Sequence, residues 1–564
     1  MDGYPQWPNL VAMMFDRARQ WPDRPMLRSY HDGAWQAITW GQFARQAASV
    51  ARTLRRAGVS AGDRVVIVSE NRPEFPIVET ALMAIRAVPV PTYTTNTVDD
   101  HAHILRDSGA RAAVASTAAL AAKLALAGPL DVLVVMEPFS SPGVPVLAWQ
   151  ALVQDESDPA DIAAEAATIA PGALACLIYT SGTGGAPKGV MLPHRAILSN
   201  CRGAFDLVRP LRLRDETYLS FLPLSHSYEH TVGQFFLLSV GSEVVYARGV
   251  EHLAADMLAV RPTIMTMVPR VLEVIRARIL GQVARQPAWQ RALFDRALRV
   301  GRRRAEGQPL SPLDRLLDPL LERLVRRKVR ARFGGRLRAA ISGGARLEPE
   351  VGRFFLGLGV AMLQGYGQTE AGPVIAANPP DACRIDSVGK TLAGVELRIA
   401  ADGEILVRGD LVMDGYWQRP GDTTAAIRDG WLHTGDIGTL DADGYLRITD
   451  RKKDMIVLSG GENVSPARIE GMLIAEPAIA QAVVLGEGRA GLTALVVPHE
   501  GCDELAVAAA VAEVNARLSV TERIRRHAVV PPFTVDNRLM TATQKIRRHL
   551  VAEAHADVLA RLGA

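Results

Sequence analysis

Residues 179–192, YTSGTGGAPKGVML, combine four glycines and three small hydroxyl residues with one lysine, Lys188, directly after an apolar run. The backbone N–H groups and hydroxyls of such a loop suit a polyphosphate, and the lysine adds a mobile positive charge. The stretch is not a P-loop, because Pro187 precedes the lysine and Gly189 follows it where GxxxxGK[ST] needs other residues. The dinucleotide motif GxGxxG fails too, since its third glycine is missing. A phosphate-binding loop of another kind and a flexible surface loop both stay open.

Length and composition indicate a globular protein of at least two domains. The chain has 564 residues, of which 48% are hydrophobic and 22% charged. Its N-terminus lacks the basic head and apolar core of a signal peptide, and no run approaches the roughly 18 apolar residues of a membrane span. The four cysteines are far apart, which argues against a zinc site and a disulfide framework. We therefore expect a cytoplasmic protein.

Helix-like and strand-like segments alternate along most of the chain, as in FARQAASVARTLRRAG (43–58) followed by RVVIVSE (64–70). This rhythm predicts an α/β fold with parallel sheets covered by helices. After about position 385, short alternating segments with DG turns indicate a small β-rich subdomain. The helix–strand rhythm resumes beyond the charged run DRKKD (450–454). We expect a large N-terminal domain over 1–449 and a small α+β C-terminal domain over 450–564.

Positive charge is concentrated in residues 275–338, the basic segment. It holds 18 Arg and Lys against 5 Asp and Glu, a net charge of +13 in a chain whose net charge is +4. Leucines and valines at three- and four-residue spacing predict amphipathic helices here. One interpretation is a solvated helical hairpin. The other is attraction to acidic ligands or to anionic lipid, which would bring the protein to the inner face of the membrane. Nucleic acid is disfavoured, because aromatics are few and no binding module is present.

Seven motifs occur in an order typical of one enzyme superfamily. They are YTSGTGGAPKGVMLPHR (179–195), SFLPLSHSYEH (220–230), AAISGGARL (339–347), GYGQTEAG (365–372), WLHTGDIG (431–438), YLRITDRKKDMIVLSGGENVSP (445–466) and TATQKI (541–546). In these motifs the chain resembles the adenylate-forming superfamily, and within it the medium- to long-chain fatty acyl-CoA synthetases. The resemblance implies ATP, Mg²⁺ and coenzyme A. A carboxylate attacks the α-phosphate of ATP, giving an acyl-adenylate and pyrophosphate, and the coenzyme A thiol then displaces AMP.

The resemblance also implies roles at the nucleotide. The glycine-rich loop would hold the β- and γ-phosphates, Thr183 and Glu370 would serve the metal, and Tyr366 would stack on adenine. Asp436 would accept hydrogen bonds from both ribose hydroxyls, assisted by Arg451. The implied ATP- and AMP-binding residues are Thr180, Ser181, Gly182, Thr183, Gly184, Lys188, Gly343, Gly344, Ala345, Gly365, Tyr366, Gly367, Gln368, Thr369, Asp436, Arg451 and Lys545.

The implied catalytic set adds the end of the chain. Lys545 matches the lysine that bridges the carboxylate and the α-phosphate, where it would stabilise developing charge. His226 would lie near the acyl carboxylate. The mobile C-terminal domain would rotate about a hinge at Asp450 to present the coenzyme A-binding residues. The catalytic residues are thus Lys545, Glu370, Thr183 and His226, and those for coenzyme A are Lys453, Gly460 and Gly461.

Two positions depart from the family pattern. Gly184 replaces the second threonine of TSGTTG, and we expect activity to survive because backbone N–H donors remain. His230 stands where some long-chain relatives carry an aromatic gate to the fatty-acid tunnel. Three other functions stay open: activation of an aryl or other carboxylic acid, transfer to an acyl carrier protein, and non-catalytic binding of an acyl group or nucleotide.

Overall fold

The fold is that of a computed structural model, which describes residues 3–155, 157–180, 186–452, 454–460, 462–540 and 546–563. Within these ranges helices and strands alternate through the first part of the chain, as the sequence rhythm predicts. Short antiparallel strands follow position 385, and mixed helices and strands return near the C-terminus. The predicted α/β class, with a large N-terminal and a smaller C-terminal domain, is confirmed.

The large sheet joins strands from the start of the chain to beyond position 390. Its central strands, from Met362–Gly367 across to Pro25–His31, pair parallel, and antiparallel strands close both edges. Parallel pairing needs long crossovers, and helices supply them. Across the sheet the strands are Lys390–Thr391, Val374–Ala377, Met362–Gly367, Ala339–Ser342, Ile264–Met267, Thr217–Ser220, Glu243–Tyr246, Pro25–His31 and Ala34–Thr39.

A parallel sheet and a small antiparallel sheet stand beside it. The parallel sheet has near-continuous apolar strands, as expected for strands buried on both faces. Across it the strands are Val88–Thr92, Arg64–Val68, Ala112–Ala115, Val132–Val135 and Val146–Ala148. In the small sheet, the strand that Lys188 begins lies between two partners. Its strands are Gly415–Tyr416, Lys188–Pro193 and Leu174–Thr180.

The turn-rich segment after position 385 forms a separate antiparallel sheet. Gly403 makes the first hairpin turn with a φ of +84°, a left-handed conformation that glycine adopts without strain. The last pairing places Asp436 opposite Arg451. The strands of this sheet are Glu396–Ile399, Glu404–Arg408, Ile427–Arg428, Trp431–Leu440 and Leu446–Arg451.

Helices cover two faces of both parallel-stranded sheets. Tyr218 and Leu219 are neighbours in one strand but belong to different hydrophobic clusters, because successive side chains point to opposite faces. Val65 and Val66 behave in the same way. The α-helices of this part are Leu10–Gln20, Trp40–Arg56, Glu74–Ala84, Val98–Ser108, Ala118–Ala127, Trp149–Leu152, Ala160–Ala166, His194–Val208, Leu237–Ser239, Leu253–Val260, Pro269–Ala284, Ala288–Ala305, Pro312–Leu321, Arg327–Ala331, Pro349–Gly357 and Pro420–Ala426. Wider π-helical turns form Glu229–Phe236 and Glu322–Arg326.

The C-terminal part has its own hydrophobic core. Its described buried side chains form two clusters drawn entirely from residues 456 onward. The elements are the strand pair Ile456–Val457 and Asn463–Val464, the sheet of Ile479–Leu485, Leu492–Pro498 and Ile524–Val529, and the helices Pro466–Ile474, Glu504–Ala516, Arg548–Ala554 and Ala556–Arg561. The predicted boundary between 449 and 450 falls inside the strand Leu446–Arg451 and stays a prediction.

One helix pair depends on glycine at its contact. A Cβ added to Gly301 would lie 1.8 Å from the carbonyl oxygen of Gly357 in the facing helix. We predict that Gly301→Ala destabilises the protein by about 1–3 kcal/mol, because the two helices must separate. The control is Gly281→Ala on a neighbouring helix, where the added Cβ meets nothing within 4 Å. That variant should gain up to about 1 kcal/mol of folding stability, because alanine has a higher helix propensity than glycine. Thermal unfolding midpoints measure both, and equal shifts would contradict the prediction.

Candidate active site

A cavity of about 1150 Å³ opens between the large sheet, the antiparallel sheet and the C-terminal part. Its lining includes most described residues of the predicted site, namely Thr180, Lys188, His226, Gly343, Gly344, Gly365, Tyr366, Gly367, Gln368, Thr369, Glu370, Asp436 and Arg451. Four described residues of the predicted site are not on the lining: Ala345, His230, Asp450 and Gly460. Others fall outside the described residues, namely Ser181, Gly182, Thr183, Gly184, Lys453, Gly461 and Lys545.

The carboxylate of Asp436 joins two elements at the cavity wall. The Tyr366 hydroxyl donates a hydrogen bond of 2.6 Å to Oδ2, and Arg451 Nε lies 3.0 Å from Oδ1. Strand pairing sets the second contact, because Asp436 and Arg451 are register partners. The Asp436 side chain is only 4% exposed. The carboxylate is therefore held in one orientation by groups that themselves line the cavity.

Electrostatics keep Tyr366 and Arg451 in defined charge states. Burial and the Asp436 carboxylate raise the pKa of Tyr366 well above its ordinary value, so the phenol remains a donor at neutral pH. Burial disfavours the charge of Arg451, but Asp436 and other acidic neighbours outweigh it and raise the pKa of Arg451. Across the neutral range the wall thus presents a neutral phenol and a guanidinium cation.

Lys188 and Glu370 are connected through Tyr416. The Lys188 Nζ lies 5.2 Å from the Tyr416 ring centroid, and the Tyr416 hydroxyl donates a hydrogen bond of 2.9 Å to Glu370 Oε1. Tyr416 reaches this place because its short strand pairs with the one that Lys188 begins. Lys188 also forms an ion pair of 3.0 Å with Asp422, in which the two side chains are 33% and 39% exposed. A pair this exposed contributes at most about 1 kcal/mol.

Two lining glycines are required by close approach. A Cβ on Gly343 would lie 2.9 Å from Cζ of the Tyr228 ring, and a Cβ on Gly367 would lie 1.9 Å from the carbonyl oxygen of Pro373. A larger residue at either position would displace the neighbouring backbone or ring. At these two positions glycine allows the neighbouring ring and backbone to pack closely within the cavity wall beside Tyr366.

Another part of the lining is apolar. The helix His194–Val208 and the π-helix Glu229–Phe236 pack together and contribute side chains to it, as do strands of the large sheet. The apolar lining residues from these elements are Ala204, Leu207, Val208, Val232, Phe236, Ile341, Leu363, Val374 and Ala377. One cavity therefore has a polar region, which suits a nucleotide, and an apolar region, which suits a hydrocarbon chain.

The two predicted histidines occupy different environments. His226 is on the lining, and its Nδ1 accepts a hydrogen bond of 3.2 Å from the Tyr228 backbone N–H. In the neutral ring the proton therefore sits on Nε2. The His230 side chain is 1% exposed, and its Nε2 lies 2.5 Å from Glu79 Oε1. The residue expected at the gate thus lies in a buried cluster.

Two described residues with predicted roles, Asp450 at the hinge and Gly460 for coenzyme A, are not on the lining. Asp450 is buried at the end of the strand Leu446–Arg451, and burial raises the pKa of its carboxyl above the ordinary value. Gly460 lies in the turn between two short strands of the C-terminal part. Closer to the cavity, four residues directly after position 545 are on the lining, namely Ile546, Arg547, Arg548 and His549.

Sequence reasoning did not find Tyr416 and Asp422. Both lie in GYWQRPGD (415–422), outside the quoted motifs. They meet Lys188 only because strands from distant parts of the chain pair in the small sheet. An aromatic residue within a strand-like stretch was the sole local signal, and that signal fits ordinary core packing equally well.

Glu370 offers one carboxylate for a divalent cation. Over the described ranges, no group of three or more His, Cys, Asp or Glu side chains could hold a metal ion by itself. Magnesium usually keeps several waters and takes one or two protein carboxylates together with substrate phosphates. The Glu370 carboxylate fits a magnesium ion that enters with a nucleotide.

The fold and the cavity define a class of protein, the two-domain α/β enzymes that handle a nucleotide and a second substrate in one cavity. The chain belongs to the AMP-binding enzyme family. The family model for AMP-binding enzymes matches residues 14–417, and the model for the AMP-binding enzyme C-terminal domain matches residues 453–562.

Individual relatives agree with this membership. The long-chain-fatty-acid–CoA ligase FadD15 of Mycobacterium tuberculosis is 36% identical over 97% of this chain and 96% of its own. The chloroplastic long-chain-fatty-acid–[acyl-carrier-protein] ligase AEE15 of Arabidopsis thaliana is 28% identical over 99% of this chain and 87% of its own. Among solved structures, ATP-bound MatB from Rhodopseudomonas palustris superimposes with a TM-score of 0.71 and 25% identity, covering 98% of this chain and all of that one.

The Lys188–Asp422 pair generates a prediction about ATP affinity. We expect Lys188 to leave Asp422 when it binds phosphate, so Asp422→Asn should tighten ATP binding by up to about fivefold, the equivalent of a pair worth about 1 kcal/mol. Asp414→Asn is the matched control, because Asp414 is also 39% exposed and pairs with Arg195 rather than with a lining residue. Calorimetric titration with ATP measures both variants. Weaker ATP binding by Asp422→Asn would contradict the prediction.

Proposed function

We propose that the protein is an AMP-forming acyl-CoA ligase that activates a fatty acid of medium to long chain. The observation that carries this proposal is one cavity whose lining includes Lys188, Glu370 and Asp436 together with a set of apolar side chains. An ATP molecule and a fatty acid need these two environments, joined at the reacting atoms. The name of the FadD15 relative supports the same substrate class.

In the first half-reaction an oxygen of the acid carboxylate forms a bond to the α-phosphorus of ATP, and pyrophosphate leaves. Both reactants are anions, so cations that hold them in line lower the barrier. Lys188 and the glycine-rich loop, including Thr180, Ser181, Gly182, Thr183 and Gly184, bind the leaving phosphates in this proposal. Thr183 and Glu370 would hold a magnesium ion, which would supply neutralisation of the phosphate charge. Lys545 bridges the carboxylate and the α-phosphate, and the place of Ile546 and Arg547 on the lining supports that role.

Asp436 and Arg451 orient the adenosine. The Asp436 carboxylate accepts hydrogen bonds from the ribose hydroxyls. The adenine lies between the backbones of 343–345 and 365–369, and the Tyr366 ring stacks on it. These roles are supported by the place of Asp436, Arg451, Tyr366 and Gly343 on the lining and by the fixed orientation of the Asp436 carboxylate. His226, with its Nε2 protonated, donates toward the acid carboxylate.

In the second half-reaction the coenzyme A thiol attacks the acyl carbonyl carbon, and AMP leaves. The C-terminal domain presents Lys453, Gly460 and Gly461 to coenzyme A after rotating at Asp450. The end of a sheet strand at this point suits a hinge, because strand ends absorb backbone rotation. A carrier protein is the second candidate acceptor, and the name of the AEE15 relative favours keeping it in the test.

An acid panel tests the proposal directly. We expect AMP formation that requires both ATP and a fatty acid in a panel of C4 to C20 acids with benzoates, with coenzyme A and acyl carrier protein compared as acceptors. Lys545→Ala should lower the rate by at least about 100-fold, the usual effect of losing a group that stabilises transition-state charge. Lys328→Ala, an exposed lysine distant in sequence, is the control. If no acid in the panel causes the release of pyrophosphate from ATP, the proposal that the protein is a ligase is excluded.

We also propose that the basic segment 275–338 contacts an anionic membrane. Four leucines of the continuous helical run formed by Pro312–Leu321 and Glu322–Arg326, namely Leu313, Leu316, Leu320 and Leu324, are 55%, 76%, 47% and 39% exposed. Their three- and four-residue spacing places them on one side of the helix, the leucine stripe. A solvent-facing stripe of this kind suits the boundary between lipid headgroups and acyl chains. Throughout the described residues, no helix has the length and apolar character needed to cross a bilayer.

The charges beside the leucine stripe favour anionic lipid over a protein partner. Among the described residues, the side chains of Arg315, Arg323, Arg327 and Lys328 have no ion-pair partner. Arginines on the inner side of the same region are neutralised instead, for example Arg326 by Asp318. Unpaired cations flanking apolar side chains are the charge complement of a membrane surface.

Vesicle co-sedimentation tests the leucine stripe. Leu316→Glu should lower binding to vesicles of phosphatidylglycerol and phosphatidylcholine by about tenfold or more, because one leucine leaves the bilayer and a negative charge enters it. Leu126→Glu is the matched control, since Leu126 is 78% exposed at a site outside the basic segment. Wild-type binding that does not depend on phosphatidylglycerol, or equal losses in both variants, would contradict the proposal.

A further inference from the structure

The π-helix Glu229–Phe236 forms part of the apolar cavity wall, and each of its residues is buried. Tyr228 precedes it, and Val232 and Phe236 follow at intervals of four residues on the lining. The wide turn of a π-helix brings residues four apart close to one face. Other side chains of the π-helix face two further elements, the large sheet and the helix Glu74–Ala84. A buried carboxylate makes each of these two contacts.

Glu229 faces the large sheet. Its carboxylate accepts hydrogen bonds of 2.7 Å from the Tyr218 hydroxyl, 2.6 Å from Ser220 Oγ and 2.7 Å from Thr266 Oγ1. One turn on, a Cβ added to Gly233 would lie 2.5 Å from the same carboxyl group. Glycine therefore makes room for a carboxylate that fastens the π-helix to two strands.

His230 and Gln234 face the helix Glu74–Ala84. His230 Nε2 lies 2.5 Å from Glu79 Oε1, and Gln234 Nε2 donates a hydrogen bond of 2.6 Å to Glu79 Oε2. Glu79 is fully buried, so both oxygens depend on these two partners. A second carboxylate thus fixes the opposite side of the same π-helix.

The Glu229 network extends to the loop before His226. Ser220 Oγ accepts a hydrogen bond of 3.0 Å from Asn71 Nδ2. The same amide donates to the Leu222 carbonyl at 2.6 Å, and Asn71 Oδ1 accepts from the Leu224 N–H at 3.0 Å. The backbone leading to His226 is therefore tied to the group that holds the π-helix.

We propose that Glu229 and Glu79 are positioning residues for the acid substrate. Together they hold the π-helix so that Val232 and Phe236 form a fixed wall against the acyl chain. This inference rests on the proposed function, in which the apolar lining receives the acid. Neither carboxylate is on the lining, so both act through the side chains they hold. The affinity for the acid, and not that for ATP, depends on them.

The Glu229 carboxyl is also sensitive to pH. Burial raises its pKa to about 7, although hydrogen bonds from Ser220, Tyr218 and Thr266 lower it. The titratable groups around it are phenols, Tyr218 and Tyr246 of the sheet and Tyr228 on its own turn, all with a pKa raised by burial. Glu79 and His230 lie on the other side of the π-helix. Folding therefore favours the protonated carboxyl, and its contribution to stability is lost as pH rises from about 4.5 to about 7.

The test compares two substitutions of Glu229. Glu229→Ala leaves three hydroxyls without their acceptor and should raise the KM for the preferred acid by about tenfold, with the KM for ATP unchanged within about twofold. Glu229→Gln keeps size and polarity and should restore the acid KM to within about threefold of wild type. Because glutamine does not ionise, the Tm of Glu229→Gln should increase relative to the Tm of wild type as the pH rises from 5 to 8.

Controls separate positioning from general stability. Asp256→Asn removes another fully buried carboxylate, paired with Arg248 away from the lining, and should lower Tm while leaving both KM values unchanged. If Glu229→Ala does not fold, Thr266→Val replaces it, and a smaller rise in the acid KM alone is expected. Equal increases in the KM for the acid and the KM for ATP would overturn the inference. A decrease in Tm with both KM values unchanged would overturn it too. A wild type that activates no acid would overturn the proposed function itself.

Discussion

The polar side of the cavity depends on one buried carboxylate, that of Asp436. Its two partners come from different sheets: Tyr366 from the large sheet and Arg451 from the last strand before the C-terminal part. Charge-assisted hydrogen bonds of this kind are stronger than neutral ones, and a carboxylate this buried is costly to leave unpaired. The geometry of the lining near position 450 is therefore set by the same contact that orients the Asp436 carboxylate.

The large-scale organisation could be predicted from the sequence because it depends on local signals. The alternation of helix and strand, the DG turns after position 385 and the glycine-rich loop each lie within a few residues of chain. Residues such as Asp436 and Tyr366 were found through motifs. Tyr416 and Asp422 were not found, because strand pairing between distant segments brings them to Lys188. The burial of His230 could not be predicted either, since its partner Glu79 lies on a helix from another part of the chain.

Buried acids play two structural roles around this cavity. Asp436 is paired with a cation, and its oxygens stay close to the lining. Glu229 is surrounded by hydroxyls and Glu79 by a histidine and an amide, so each holds a wall without reaching the cavity. The apolar part of the lining thus takes its shape from polar contacts one layer behind its surface. Such contacts fix one packing arrangement, whereas apolar contacts alone would tolerate several.

The ion pairs of the lining have a consequence for which anions the cavity admits. Lys188 and Arg451 each carry a carboxylate partner, so the charge they present to solvent is already balanced. Chloride or a single phosphate must compete with these partners using few contacts of its own. A nucleoside triphosphate brings several negative charges and many acceptors at once, so we expect it to displace Asp422 from Lys188 where a small anion would not. We therefore expect the cavity to favour polyvalent anions in a solution crowded with small ones.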